Sequence, residues 1–289
     1  MSDAAIHPQT KLGHVHLTVS DLDRSLEFYQ QIIGLQLHRR EGETVYLGAG
    51  RTSILALTGR TDARRVRGAT GLYHFAILVP SRLALAYSLR RIAETQTPAQ
   101  GFADHLVSEA IYLADPDGNG IEIYRDRPRD QWPYQNGQLQ MATDPLDIEG
   151  VLAELEGQAE PWSGLAPETV LGHMHLHVAN IAQAEAFYQG VIGFAVMLRY
   201  GPTASFLAAG GYHHHLGVNT WAGVGAPPPP ANAVGLRWFV ICLPDQAELN
   251  RTVDRVRQAG VDVVERPEGL LVRDPSQNGV ILTTSDVAG

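Results

Sequence analysis

The stretch Leu12-Gly13-His14-Val15-His16-Leu17 returns as Leu171-Gly172-His173-Met174-His175-Leu176. Phe28-Tyr29 returns as Phe187-Tyr188, and Ile33-Gly34 as Ile192-Gly193, all at one separation of 159 residues. Three features at a single offset mark a duplicated unit. A second pair of segments matches more faintly. Gly71-Leu72-Tyr73-His74-Phe75 parallels Gly235-Leu236-Arg237-Trp238-Phe239, and Asp115-Pro116 with Asn119-Gly120 parallels Asp274-Pro275 with Asn278-Gly279. The chain therefore reads as four copies of one unit, at approximately 10–60, 70–127, 169–222 and 233–286.

Each unit has the same local signals. In the first, an alternating strand from His14 to Val19 is followed by Asp21, a helix cap, and by Leu22, Leu26, Tyr29 and Ile33 near the 3.6-residue period. Gly34 supplies a helix stop. Three short strands follow around 36–39, 44–47 and 53–57. The order is βαβββ, which makes the chain α+β. Two such modules span 10–127 and two more span 169–286. The joint at 128–168 carries an expected helix over 146–156, and Gly223 to Ala231, with its four prolines, reads as an exposed connection between modules three and four.

Strand periodicity then sets the direction of a site. Alternate strand side chains share a face, so His173, His175 and His177 point one way and Met174, Leu176 and Val178 the other. The apolar face packs on the module's helix, which leaves the imidazoles lining a concave, polar space. In module two, Glu122 sits between Ile121 and Ile123, and no Lys or Arg is expected within its strand. Burying a lone carboxylate is costly unless something pairs with it. His74, His105 and Tyr112 lie upstream in the same module. Two imidazoles, a phenol and a buried carboxylate suit a metal site flanked by acid–base groups. His16 and His177 are read as structural residues, and His213 and His215 as pointing away from His214.

Composition narrows the function. The 289 residues carry a net charge of −9 with no basic block, which disfavours nucleic acid as a partner. The single Cys242 rules out an intramolecular disulfide and a multi-Cys zinc site, and its apolar surroundings mark a core thiol. The opening MSDAAIHPQT lacks the basic and apolar regions of a secretory signal, and no apolar run approaches the ~20 residues of a membrane helix. A cytoplasmic location, no membrane partner and assembly as a homo-oligomer are the expectations.

Four βαβββ modules, a strand-borne His and Asp115-Pro116-Asp117-Gly118-Asn119-Gly120-Ile121-Glu122-Ile123 together resemble the vicinal oxygen chelate superfamily, which includes glyoxalases, bleomycin-resistance proteins and extradiol dioxygenases. The resemblance covers nearly the whole chain and implies two open mixed-sheet barrels. Within the superfamily the chain is most similar to the catechol 2,3-dioxygenases. Their metal-binding Glu follows a Tyr by ten residues with Asp-Pro between, a spacing kept by Tyr112, Asp115-Pro116 and Glu122. The resemblance further implies His74 as a ligand, His105 as a neighbouring polar group and His214 as the acid–base residue. Trp221 and Tyr212 are candidate aromatic wall.

One departure concerns location. Familiar members of that branch hold the metal in the barrel of modules three and four, but module four here has Trp238 and Ile281 at the ligand positions. Some ring-cleaving relatives pair module one with four and two with three. That pairing would complete the set with His173 and bring His214 beside it. The pairing of modules one and two would offer His14 as the third ligand and no acid–base His. Motif completeness favours His173. The implied activity is Fe(II)-dependent cleavage of a small aromatic diol by O2, of the kind used in aromatic catabolism, with Mn(II) as an alternative metal. A glyoxalase-type isomerase or thiol transferase using Ni, Zn or Mn, and a non-enzymatic drug-binding protein, are the competing readings.

Overall fold

The computed structural model describes residues 5–158 and 161–284. The first four residues of the amino-terminal segment and the last two of module four as drawn from the sequence lie outside the described residues. Module one comprises β1 (Lys11–Val19), α1 (Leu22–Phe28), β2 (Gln36–Glu41), β3 (Thr44–Ala49) and β4 (Thr52–Gly59). Module two follows with β5 (Gly71–Leu78), α2 (Arg82–Glu94), β6 (Ala99–Asp104), β7 (Ser108–Ala114) and β8 (Gly120–Asp126). The joint holds a small hairpin, β9 (Tyr134–Gln135) and β10 (Gln138–Leu139), and α3 (Ile148–Ala153). Module three contains β11 (Val170–His177), α4 (Ile181–Glu185), β12 (Ala195–Tyr200), β13 (Ala204–Ala208) and β14 (Leu216–Asn219). Module four contains β15 (Gly235–Cys242), α5 (Gln246–Gln258), β16 (Val264–Arg266), β17 (Gly269–Arg273) and β18 (Gly279–Thr283).

The strands form two mixed sheets of eight. One has the order β16-β17-β18-β15-β1-β4-β3-β2 and joins module four to module one. The other, β12-β13-β14-β11-β5-β8-β7-β6, joins module three to module two. In each, the first strands of two modules pair antiparallel at the centre, β1 with β15 and β11 with β5. The conventional partner of module two, module one, lies in the other sheet, and His14 goes with it.

Burial explains why the sheets curl with the imidazoles inward. Met174, Leu176 and Val178 are fully buried in the main core, together with Phe75, Ile77, Ile121 and Ile123. Each large aliphatic side chain so buried stabilises the fold by roughly 2 kcal/mol. The opposite face of those strands then carries the polar residues.

The module-one helix is not a single α-helix. Asp21 caps it by accepting from the Arg24 N–H, but beyond Phe28 the chain widens into a π-helical turn over Tyr29–Ile33. The N–H groups of Gly34 and Leu35 both reach the Tyr29 carbonyl, and Gly34 takes φ +91°, a left-handed conformation that a Cβ disfavours. Module three repeats this with Ala186–Ile192 and Gly193. The helix in the joint is shorter than its periodicity suggests. The Asp147 side chain accepts from the Gly150 N–H and starts it at Ile148, and the chain leaves α geometry after Ala153 for turns that run to Gly157.

The Asp-Pro turns tie one sheet to the other. Asp115 accepts from the N–H groups of Asp117 and Asn119, from the Asn119 amide and from the Tyr29 hydroxyl at 2.9 Å. Asp274 repeats the pattern with Ser276, Asn278 and Tyr188. Each buried carboxylate is thus satisfied by local N–H groups and by a Tyr from the preceding module.

Candidate metal centre and its cavity

Three adjacent strands each deliver one ligand atom. β11 brings His173, β5 brings His74 and β8 brings Glu122. Ala76 pairs with His173 on one side and with Glu122 on the other, and His74 lies two residues earlier on the same face of β5. The three side chains are buried, and their ligand atoms all lie within 4.8 Å of one another. His14, the alternative third ligand, is in the other sheet, where its ring meets the edge of Tyr46. The positions equivalent to the ligands in module four are filled by apolar packing, with Trp238 against Val240, Cys242, Leu271 and Ile281.

The electrostatics suit a cation. Burial alone would raise the Glu122 carboxyl, but His173 and His74 outweigh it and hold Glu122 well below the usual carboxylate range. His173 Nε2 and His74 Nε2 both stand 3.0 Å from Glu122 Oε2. The His173 contact is a hydrogen bond, whereas His74 Nε2 makes only the ion-pair contact and is a buried nitrogen with no hydrogen-bond partner. A buried imidazole nitrogen of that kind costs free energy unless something occupies its lone pair. Burial pushes His173 down, which keeps it neutral, the form in which imidazole binds metals. Two imidazoles and one carboxylate on one face fit a divalent first-row metal with open positions.

The ligands open onto a cavity of about 410 Å³, within the ~300–1,000 Å³ typical of small-molecule sites. His105, Tyr112, His175 and His214 line it beside His74 and Glu122. Its walls are Tyr73, Leu198, Phe206 and Trp221. Tyr112 pairs directly with Glu122 across β7 and β8. Its hydroxyl is 2.6 Å from His105 Nε2, and His105 Nδ1 is 2.6 Å from the Ala142 carbonyl oxygen. A carbonyl only accepts, so His105 carries a hydrogen on Nδ1, which leaves its Nε2 able to accept from the Tyr112 O–H. Burial, then the Glu122 charge, raises the Tyr112 phenol well above its ordinary value, so it stays protonated. The His214 ring packs 4.1 Å from that of His173, and burial pushes its imidazole well below the ordinary range.

Of the site residues read from the sequence, His74, Glu122, His105, Tyr112 and His214 line this cavity, and His173 meets His74 and Glu122 behind its wall. His16 and His177 bond within their own modules, to Thr58 and Asn219. Two expectations fail. His213 does not point away from His214: its Nδ1 is 2.8 Å from His214 Nδ1, because residues 209–215 turn sharply instead of extending as a strand. Tyr212 is not cavity wall; it packs behind, its ring 4.0 Å from His213. Sequence reading also missed the wall that the joint supplies, Met141 to Thr143, and the small Ala76 between the ligands. The strand alternation that places His74 inward could have located Ala76. Nothing local announces a wall built from a loop.

Comparison with known proteins follows this architecture. The model of the Glyoxalase/Bleomycin resistance protein/Dioxygenase superfamily matches residues 11–123 and 170–280. A catechol-2,3-dioxygenase of Bacillus subtilis (strain 168) is 43% identical over 282 residues, 96% of this chain and 98% of that protein. A manganese-dependent 2,3-dihydroxybiphenyl 1,2-dioxygenase of Geobacillus genomosp. 3 is 23% identical over 88% of this chain and 75% of its own length. Among solved structures, a putative dioxygenase from Bacillus subtilis subsp. subtilis str. 168 has the same fold, with a TM-score of 0.64 at 13% identity, over 97% of this chain and 86% of that one.

Proposed function

Because the chain belongs to the glyoxalase/bleomycin resistance protein/dioxygenase superfamily, we propose that it is an extradiol dioxygenase that uses Fe(II) and O2 to open the ring of a catechol-type substrate. The observation that carries this reading is the convergence of His74, Glu122 and His173 at the wall of a cavity that also holds two separate proton-handling groups. The full-length likeness to a catechol-2,3-dioxygenase supports it.

His74, Glu122 and His173 would hold the metal, and their N/O donor set suits Fe(II) and also Mn(II). When bound, the metal would supply a Lewis acid that gathers the vicinal oxygens and O2 in one place. The remaining chemistry belongs to the chain. Tyr112 spends its own proton on His105, so its oxygen faces the cavity as an acceptor for a substrate hydroxyl. His214, neutral and buried, is the general base that takes a proton from the bound diol and returns it during ring opening. Tyr73, Phe206 and Trp221 clasp an aromatic ring and exclude water.

A glyoxalase-type isomerase or thiol transferase acting on a glutathione conjugate would need to seat an anionic thiol adduct. Among the described residues that line the cavity there is neither Lys nor Arg. A drug-binding protein has no use for three converging ligand atoms. The test is direct: protein loaded anaerobically with one equivalent of Fe(II) should consume O2 with catechol and form a yellow ring-cleavage product. Loaded protein that consumes no O2 across a panel of catechols would refute the assignment.

A further inference from the structure

β8 carries more than a ligand. Glu122, Tyr124 and Asp126 alternate along it, so all three share the concave face. Tyr124 is buried, with its ring 4.8 Å from that of His173. Asp126 closes the strand and reaches behind the cavity. Its Oδ2 is 2.8 Å from the Tyr212 hydroxyl, and its Oδ1 is 2.8 Å from His213 Nε2. The Tyr124 and Tyr212 hydroxyls are 2.8 Å apart, and His213 Nδ1 is 2.8 Å from His214 Nδ1. A single, largely buried chain of polar groups therefore runs from Tyr124 through Tyr212, the part-exposed Asp126 and His213 to His214.

The Asp126 carboxylate directs the hydrogens that face it. Ionised Asp126 only accepts, so Tyr212 donates to it, and the Tyr212 oxygen accepts from Tyr124. His213 must likewise donate from Nε2. With Nε2 donating to Asp126, His213 can keep its lone pair on Nδ1 and accept there from His214 Nδ1, 2.8 Å away. His214 is left with its lone pair on Nε2.

We propose that Asp126 and His213 are positioning residues that fix the ring orientation and the tautomer of His214, holding its Nε2 as the proton acceptor toward the cavity. The inference rests on the reading of His214 as the general base. His213 is fully buried between Tyr212 and Trp132, whose ring centroids lie 4.0 and 5.4 Å away, and is not among the residues that line the cavity. Neither His213 nor Asp126 has a way to touch substrate. A free imidazole exchanges between two tautomers of similar energy, and only one of them is a base at Nε2. An acceptor held at 2.8 Å from Nδ1 selects that one.

The position explains a local oddity of the sequence, the triplet His213-His214-His215. His214 faces the cavity and His213 backs it. His215 instead accepts at Nδ1 from the Ala209 N–H, at 3.2 Å, and so serves the turn itself.

The experiment combines a spectroscopic readout with kinetics on the full chain. In ¹⁵N-histidine-labelled protein without metal, two-bond ¹⁵N–¹H correlations identify the tautomer of each ring, with His214 assigned by the loss of its signals in His214→Gln. The wild type should show His214 protonated at Nδ1, and His213→Leu should abolish that signature. With Fe(II) loaded, His213→Leu should lower kcat by about tenfold to a hundredfold, with KM within about twofold and metal content unchanged. His213→Asn, which restores an acceptor oxygen close to the Nδ1 position, should recover most of kcat. Asp126→Leu should behave like His213→Leu. A wild-type His214 protonated at Nε2 would overturn the proposal, as would a kcat insensitive to His213→Leu, or metal lost in step with activity in both His213 variants. Failure of wild-type protein to cleave any catechol would strike the dioxygenase reading instead, because the tautomer is read without turnover.

Discussion

His173 Nε2 and Glu122 Oε2 stand 3.0 Å apart, although they come from opposite halves of the duplicated chain and from strands separated by β5. The contact exists only because module three, and not module one, adds its first strand to the edge of module two. Sheet order therefore decides which of two sequence-equivalent histidines reaches Glu122.

The first prediction separates those two histidines. His173→Ala should remove Fe(II) binding, since it deletes one of three converging donors and leaves Glu122 buried beside His74 alone. His14→Ala should leave binding near the wild-type level, because His14 lies in the other sheet against Tyr46. Iron per chain, measured after anaerobic loading and desalting, decides the matter. Retained iron in His173→Ala, or an empty site in His14→Ala, would contradict the ligand set.

Ala76 provides a second test of the same geometry from the side of packing. Its methyl group lies between His173 and Glu122 at the same register. Ala76→Leu would push three more carbons into the space where the ligand atoms meet. Overpacking a buried site costs typically ~1–3 kcal/mol, which a chain of this size can survive. The expected outcome is a folded protein that binds little Fe(II). Full metal content in that variant would mean the ligands converge elsewhere.

How much of this was legible beforehand follows from the range of each signal. Module order and the inward face of His173 are local or periodic, and the sequence displays them directly, whereas the strand of Glu122 does carry a cation, Arg125, which pairs with Glu109 instead. Which modules share a sheet is not local. It was accessible only because Trp238 and Ile281 made one barrel unusable and His214 pointed to another. The Asp126–His213 contact depends on the sharp turn at 209–215, where hydrogen bonds over distance replace strand pairing, and no periodicity reports such a turn. Glu109 is a similar case. It looks like an ordinary strand carboxylate, yet it is buried under Arg82, Arg125 and Arg127, and Arg82 also ties the joint to the sheet through the Gly150 carbonyl.

A third prediction concerns ring substituents. The described lining of the cavity is mostly aromatic, aliphatic and imidazole, with Gln100, Thr143 and Glu122 as its other polar groups, and contains no Lys or Arg. A carboxylate on the substrate ring would be stripped of water there without a partner, which costs several kcal/mol. Catechols with alkyl or halogen substituents should therefore be turned over with kcat/KM close to that of catechol. Those bearing a carboxylate should be at least about a hundredfold poorer. Comparable kcat/KM for the two groups, measured by O2 uptake, would show that a cation reaches the substrate from outside this lining.

The last prediction is the pH dependence of folding, read where no metal intervenes. His16 lies on β1 in the other sheet, buried, with Nε2 2.7 Å from Thr58 Oγ1. Burial, then the nearby Arg237 and His14, lowers its pKa to about 3, against 6.5 for an exposed imidazole. Between those values the unfolded chain binds a proton at this position and the folded chain does not. The protonation difference makes stability rise with pH across the window. The contribution is complete above about pH 6.5 and is lost as pH falls toward 3, at up to ~1.4 kcal/mol per pH unit. His16→Gln removes the titration, and its amide nitrogen can still reach Thr58. Urea unfolding of metal-free protein from pH 7 to pH 4 should give a shallower fall in stability for the variant, by close to one proton. The carboxylates common to both proteins cancel from that difference. Parallel curves would mean that His16 is protonated in the folded state over this range.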